Sequence, residues 1–138
     1  MSWIFLFLSI IFIQCFPGIN GEQTETEVVL KWAGGFRGKI TLDLENDVRY
    51  GWTIILVFSD ATPNLYIWLA EVVANQFDKF YILRNRPFNA QLPEGIFELS
   101  FFADTSAVGG PVPTGKVFFI REHHLLRRHQ GGETISDV

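Results

Sequence analysis

Residues 31–44 read Lys31-Trp32-Ala33-Gly34-Gly35-Phe36-Arg37-Gly38-Lys39-Ile40-Thr41-Leu42-Asp43-Leu44. From Phe36 onward the residue types alternate. Phe36, Gly38, Ile40, Leu42 and Leu44 fall on one side, and Arg37, Lys39, Thr41, Asp43 and Glu45 on the other. A period of two is the mark of a strand with one buried and one solvated face. Gly34-Gly35 supplies residues that accept positive φ, which predicts a tight turn. The preceding run, Thr24 to Trp32, is also β-prone, so the whole predicts a hairpin with Trp32 at its end. An indole at a turn, beside glycines, is hard for a core to enclose.

Downstream the same punctuation recurs. Glu45-Asn46-Asp47 reads as a polar turn. Trp52, Ile54, Leu56 and Phe58 then alternate with Thr53, Ile55, Val57 and Ser59, and two apolar faces predict a central strand. Ser59 to Asn64 is a loop by composition. Tyr66 to Ala74 reads as the next strand, a turn is expected around Asn75-Gln76, and Phe77 to Leu83 as the strand after it. Pro87 removes a donor and pushes Arg86 to extended geometry, so Arg84 to Asn89 is expected to be irregular. Pro93-Glu94-Gly95 is a turn, Ile96 to Ala103 a strand, Asp104 to Gly115 a long loop, and Val117 to Arg121 a closing strand. Seven to nine short strands, with no helical pattern, predict an all-β fold. The expected architecture is an antiparallel β-sandwich, immunoglobulin-like or jelly-roll-like.

The ends differ from this middle. Residues 1–21 carry no charge, and Trp3 to Phe16 is almost wholly apolar before Pro17-Gly18. The run fits a signal peptide over 1–21 with cleavage after Gly21. It falls short of the ~20 apolar residues that span a bilayer. A secreted, extracellular domain over 22–122 is therefore expected, with no membrane contact after cleavage. The stretch 123–138 is polar and reads as a flexible tail containing the dibasic pair Arg127-Arg128. Removing 21 of the 138 residues leaves 117, enough for one domain with a core. The formal charge of −4 argues against nucleic acid, whose phosphates need a basic footprint. Cys15, the one cysteine, lies in the leader, so the mature domain is expected to have no disulfide and no thiol chemistry.

Catalytic constellations are not apparent. His123, His124 and His129 lie in the tail without the carboxylates or thiols of a metal site. No Gly-rich phosphate loop and no nucleophilic triad can be assembled. Carboxylates are present in number, but nothing in their spacing suggests a glycosidase pair. The expectation is a protein that is not an enzyme, uses no cofactor or metal and is a monomer. Aromatic residues make up 15% of the chain, so the question becomes which of them leave the core. Trp52, in a doubly apolar strand, is expected to be buried. Trp32 sits against a glycine turn. Trp68 lies in a run that is apolar on both faces, and periodicity leaves its side open.

In order and spacing, Trp32-x-x-Gly35-Phe36, Gly51-Trp52-Thr53, Trp68, Arg84-Asn85-x-Pro87-Phe88-Asn89 and Pro93-x-Gly95 resemble family 2 carbohydrate-binding modules. These are cellulose- and xylan-binding β-sandwiches. The resemblance runs from about Val28 to Arg121. It implies a row of three exposed rings, Trp32, Trp68 and Phe88, binding a polysaccharide, with Trp52 in the core. Planar rings cover the apolar C–H faces of sugars at little ordering cost. Three features depart from the family pattern. The terminal cysteine pair is missing, the third ring is Phe88 rather than Trp, and polar positions beside the rings fall on Leu30, Lys39 and Tyr66. Because Phe88 keeps a third ring, the resemblance favours a flat cellulose- or chitin-like glycan over xylan. An adhesion or protein-interaction sandwich that kept the scaffold without the sugar is the alternative.

Overall fold

The computed structural model describes residues 21–123, in nine strands and one 3-10 turn. The expected signal peptide, apart from Gly21, and the tail beyond His123 lie outside the described residues. The strands are β1 Gly21–Glu25, β2 Glu27–Trp32, β3 Gly35–Leu44, β4 Trp52–Phe58 and β5 Tyr66–Ile67. They continue with β6 Ala70–Gln76, β7 Phe80–Asn85, β8 Gly95–Asp104 and β9 Gly115–Arg121, and the 3-10 turn is Pro87–Asn89. Two antiparallel sheets, ordered β1-β9-β4-β7-β6 and β2-β3-β8-β5, pack face to face. The chain is an all-β antiparallel sandwich, as the alternation predicts.

The period-two stretch behaves as read. Phe36, Ile40, Leu42 and Leu44 are buried, while Arg37 and Asp43 are exposed. Between the sheets, Leu99 and Phe101 from β8 meet Trp52, Ile54, Leu56 and Phe58 from β4, with Tyr81, Leu83, Val117 and Phe119 completing the core. Edge-to-face pairs knit it together: Phe36 on Phe101 at 5.7 Å, Phe58 on Tyr81 at 5.9 Å, and Trp52 on Phe97 at 5.5 Å between ring centroids. Such pairs add roughly 0.5–1.5 kcal/mol each beyond area burial.

Three strand boundaries differ from the sequence expectation, each for a local reason. Thr24 to Trp32 is not one strand: β1 pairs with β9 in one sheet, and β2 with β3 in the other. Thr26 makes the switch. Its N–H donates to the Gly115 carbonyl at 2.8 Å, and its Oγ1 accepts from the Gly115 N–H at 2.9 Å. Tyr66 to Ala74 also divides, at Trp68-Leu69, because the chain crosses from one sheet to the other there. The hairpin turn between β6 and β7 is at Phe77-Asp78, not Asn75-Gln76. Both turn residues have positive φ, 58° and 56°, and the Lys79 N–H closes the turn on the Gln76 carbonyl at 3.1 Å. Asn75 supports it from within β6, accepting from the Asp78 N–H at 2.9 Å and donating to the Asp78 carboxylate at 3.0 Å. That side-chain clamp substitutes for the glycine such a loop usually carries.

Candidate functional site

The outer face of the β2-β3-β8-β5 sheet carries the exposed rings of Trp32, Tyr66 and Phe102, while Phe88 is on the 3-10 turn that follows β7. Cross-strand register defines the rows of the sheet. Trp32 pairs with Gly35, and Gly35 with Asp104. In the next row Leu30 pairs with Arg37, Arg37 with Phe102, and Phe102 with Tyr66. Side chains two apart on a strand share a face. Tyr66 and Trp68 therefore lie on one side, with the buried Ile67 between them pointing inward. Trp32 is 45% exposed, Phe102 46%, Tyr66 57%, Phe88 64% and Trp68 65%, which puts all five outside the core.

Each ring is held by something rigid. The Trp32 indole lies against Gly35: a Cβ built there would sit 2.7 Å from the indole Nε1 and 2.9 Å from the Ala103 carbonyl oxygen. Only a residue without a side chain lets the indole approach the sheet so closely. The turn that brings Trp32 back over Gly35 has Gly34 at φ +97°. Trp32 then stands 6.4 Å from Phe102, its ring tilted by 43°. The Arg37 guanidinium sits 5.9 Å from the centre of the Phe102 ring, within cation–π range.

Trp68 and Phe88 are tied together by the Arg-Asn-x-Pro-Phe-Asn element. Where the strand breaks at Trp68-Leu69, two backbone carbonyls lose ladder partners and need donors. Arg86 Nε donates to the Trp68 carbonyl at 2.8 Å, and Asn89 Nδ2 to the Leu69 carbonyl at 2.7 Å. Asn89 Oδ1 accepts from the Arg86 N–H at 2.8 Å, closing the 3-10 turn on which Phe88 rides. The buried Trp52 anchors this turn from below: its Nε1 donates to the Asn89 carbonyl at 2.8 Å, and its N–H to Asn85 Oδ1 at 2.9 Å. Asn85 and Asn89 are thus scaffold, and Phe88 is the residue they present.

The polar groups on this face are mostly spent on one another. Lys39 lies 3.8 Å from Glu27 and 4.0 Å from Glu98, and Asn64 Nδ2 donates to Asp104 at 2.7 Å. Among the described residues Arg37 has no hydrogen-bond acceptor, so its guanidinium donors face solvent. Depressions exist elsewhere: one of about 360 Å³ over Val57, Lys116 and Phe118, another of about 580 Å³ beside Val48 and Leu92. Neither is lined by any of the five rings. Among the described residues no group of three or more His, Cys, Asp or Glu could hold a metal, and no helix is long and apolar enough to cross a membrane.

Of the residues singled out from sequence, Trp32, Trp68 and Phe88 are all exposed, and Trp52 is fully buried. The structure settles the side of Trp68, which periodicity left open. Phe102 was missed. Its signal was present, since Phe97, Leu99, Phe101 and Ala103 alternate with Ile96, Glu98, Ser100 and Phe102, and the polar set marks the outer side.

The arrangement defines a class: a two-sheet β-sandwich presenting rings on the open face of one sheet. No protein-family model and no curated protein matches the chain. Among solved structures it is similar to the chitinase ChiA74 from Bacillus thuringiensis, with a TM-score of 0.48 at 13% identity. The similarity covers 68% of this chain and 15% of that enzyme.

Proposed function

We propose that this is a secreted, non-catalytic module that binds polysaccharide by stacking sugar rings on Trp32, Trp68 and Phe88. The glycan class is a flat β-1,4-linked polymer, cellulose- or chitin-like. One observation carries the reading: three rings separated by 36 and 20 residues in sequence are all exposed, on elements that the core and its hydrogen bonds hold in place. Leaving large apolar surfaces in water is unfavourable unless a partner covers them. At about 25 cal/mol per Å² of apolar area, each ring can contribute roughly 1–2 kcal/mol to binding. The site is a face rather than a cleft, which suits an extended polymer and offers no enclosed volume for chemistry on it.

The test is retention of the purified domain on insoluble cellulose, chitin and xylan, read as depletion isotherms. Retention on cellulose or chitin above xylan supports the reading, and retention on none of the three sinks it. A second reading, an interaction sandwich for another protein, is favoured by β2. Every residue of that edge strand is exposed, including Val28, Val29 and Leu30, and among the described residues its outer backbone groups have no strand partner. A protein partner would be recognised by adding a strand there, and a charge placed on that edge, Val29→Lys, would then weaken partner binding without altering retention on glycan.

A further inference from the structure

The three rings leave a gap that a fourth fills, and this inference rests on the polysaccharide reading above. Trp32 is on β2, the outermost strand on one side, and Trp68 directly follows β5, the outermost strand on the other. With strands ~4.8 Å apart, β2 and β5 are separated by about 14 Å across the sheet. Trp32 stands one row from Phe102, which pairs with Tyr66, and Trp68 lies a further two residues along. At ~3.3 Å per residue, that places Trp68 about 13 Å from Trp32 along the strand direction. The line joining them is a diagonal of the face. Phe102, on β8 in the middle row, falls close to it and somewhat past its midpoint.

The side chains close the first gap further. Gly35 lets the Trp32 indole lie over β3, and the indole reaches 6.4 Å from Phe102 although two strand spacings separate their backbones. Phe102 keeps 46% of its surface open. Arg37 stands beside it with guanidinium donors that no protein oxygen accepts among the described residues.

We infer that Phe102 is a sugar-contacting ring, making the row Trp32–Phe102–Trp68–Phe88, with Arg37 donating to sugar oxygens alongside it. A glycan chain crossing the sheet on this diagonal meets a ring on β2, on β8 and just after β5, and then the 3-10 turn. Without Phe102 the same chain would meet no ring between Trp32 on β2 and the β5 edge.

The experiment must separate contact from mere support of Trp32. Phe102→Leu keeps an apolar side chain against the indole and under Arg37 but removes the aromatic face. Phe102→Tyr keeps the ring. On insoluble cellulose and chitin, Phe102→Leu is expected to lower affinity roughly five- to thirtyfold, the loss of one stacked ring. Phe102→Tyr should hold affinity within about threefold, and both variants should melt within a few degrees of the wild type. Phe102→Leu binding as well as wild type would overturn the inference, while leaving the polysaccharide reading intact. Wild type retained on neither polymer would instead remove the reading itself, and the inference with it.

Discussion

At the residue scale, Trp32, Trp52 and Trp68 divide between surface and core, and the division is set by what each side chain touches. Trp52 is fully buried, with Phe97 and Phe119 against its ring and its N–H spent on the Asn89 carbonyl. Trp32 and Trp68 are exposed instead. Truncation should therefore separate binding from stability. Trp32→Ala and Trp68→Ala are each expected to weaken retention on polysaccharide about five- to thirtyfold while moving the unfolding midpoint only slightly. Trp52→Ala should cost on the order of 3–5 kcal/mol of stability, the usual result of emptying a large aromatic site. Depletion isotherms and calorimetry on the same samples read both quantities. If Trp32→Ala and Trp68→Ala melt as early as Trp52→Ala, those rings are core and the binding face does not exist. Phe88→Trp adds area and an N–H donor at 64% exposure, and is expected to hold or raise affinity.

At the scale of elements, positions beside the rings matter as much as the rings. Gly35→Val is expected to lose binding to about the degree of Trp32→Ala although it deletes no ring. Its Cβ would fall 2.7 Å from the indole Nε1 and 2.9 Å from the Ala103 carbonyl oxygen, so the indole must swing away and β3 must shift against β8, read as a change in tryptophan fluorescence and a lowered Tm. Asn89→Ala removes the donor to the Leu69 carbonyl and the acceptor for the Arg86 N–H, freeing the 3-10 turn from the crossover that carries Trp68. The hairpin and its exposed indole were legible from Trp32, Gly34 and Gly35 alone, because local turn chemistry and period-two alternation act within a few residues. The burial of Trp52 was legible for the same reason. What could not be read was non-local. The sheet switch at Thr26 depends on Gly115, and the break after Ile67 depends on Arg86 and Asn89 supplying donors to the freed carbonyls. A run that is apolar on both sides, such as Tyr66 to Val73, carries no signal of where it will change sheets. The side of Trp68 therefore emerged only with the crossover, and Phe102 mattered only once its strand had a neighbour.

At the scale of the whole molecule, the sandwich is held by packing and by a few buried hydrogen bonds, since the only cysteine, Cys15, has no second cysteine to pair with. If residues 1–21 are a signal, N-terminal sequencing of the secreted protein should begin at Glu22, and a form retaining Trp3 to Phe16 would count against secretion. One buried bond gives the fold a pH limit. The Tyr81 hydroxyl donates to the Thr62 carbonyl at 2.6 Å, pinning the loop after β4 onto the core; Tyr81 and Thr62 are both buried. Burial, and then the nearby negative charge and hydrogen bonding of Asp78, push this phenol up from 10.0 to about 12. A group whose pKa is raised on folding keeps its proton longer in the folded state than in the unfolded chain. Its full contribution to stability is therefore present below pH 10 and is lost as pH rises to about 12. Two pH units correspond to roughly 2–3 kcal/mol. Physically, a phenolate would set its charge against a carbonyl oxygen it can no longer bond. Tyr81→Phe removes the hydroxyl and leaves the Thr62 carbonyl short of a partner, which should cost about 1–3 kcal/mol at pH 7. It should also remove this group's share of the alkaline loss. Tm measured from pH 7 to 12 is expected to start lower for Tyr81→Phe and to fall less steeply above pH 10, so that the two curves converge. Parallel curves across that range would mean that Tyr81 ionises alike in the folded and unfolded chains, and that the alkaline limit lies elsewhere.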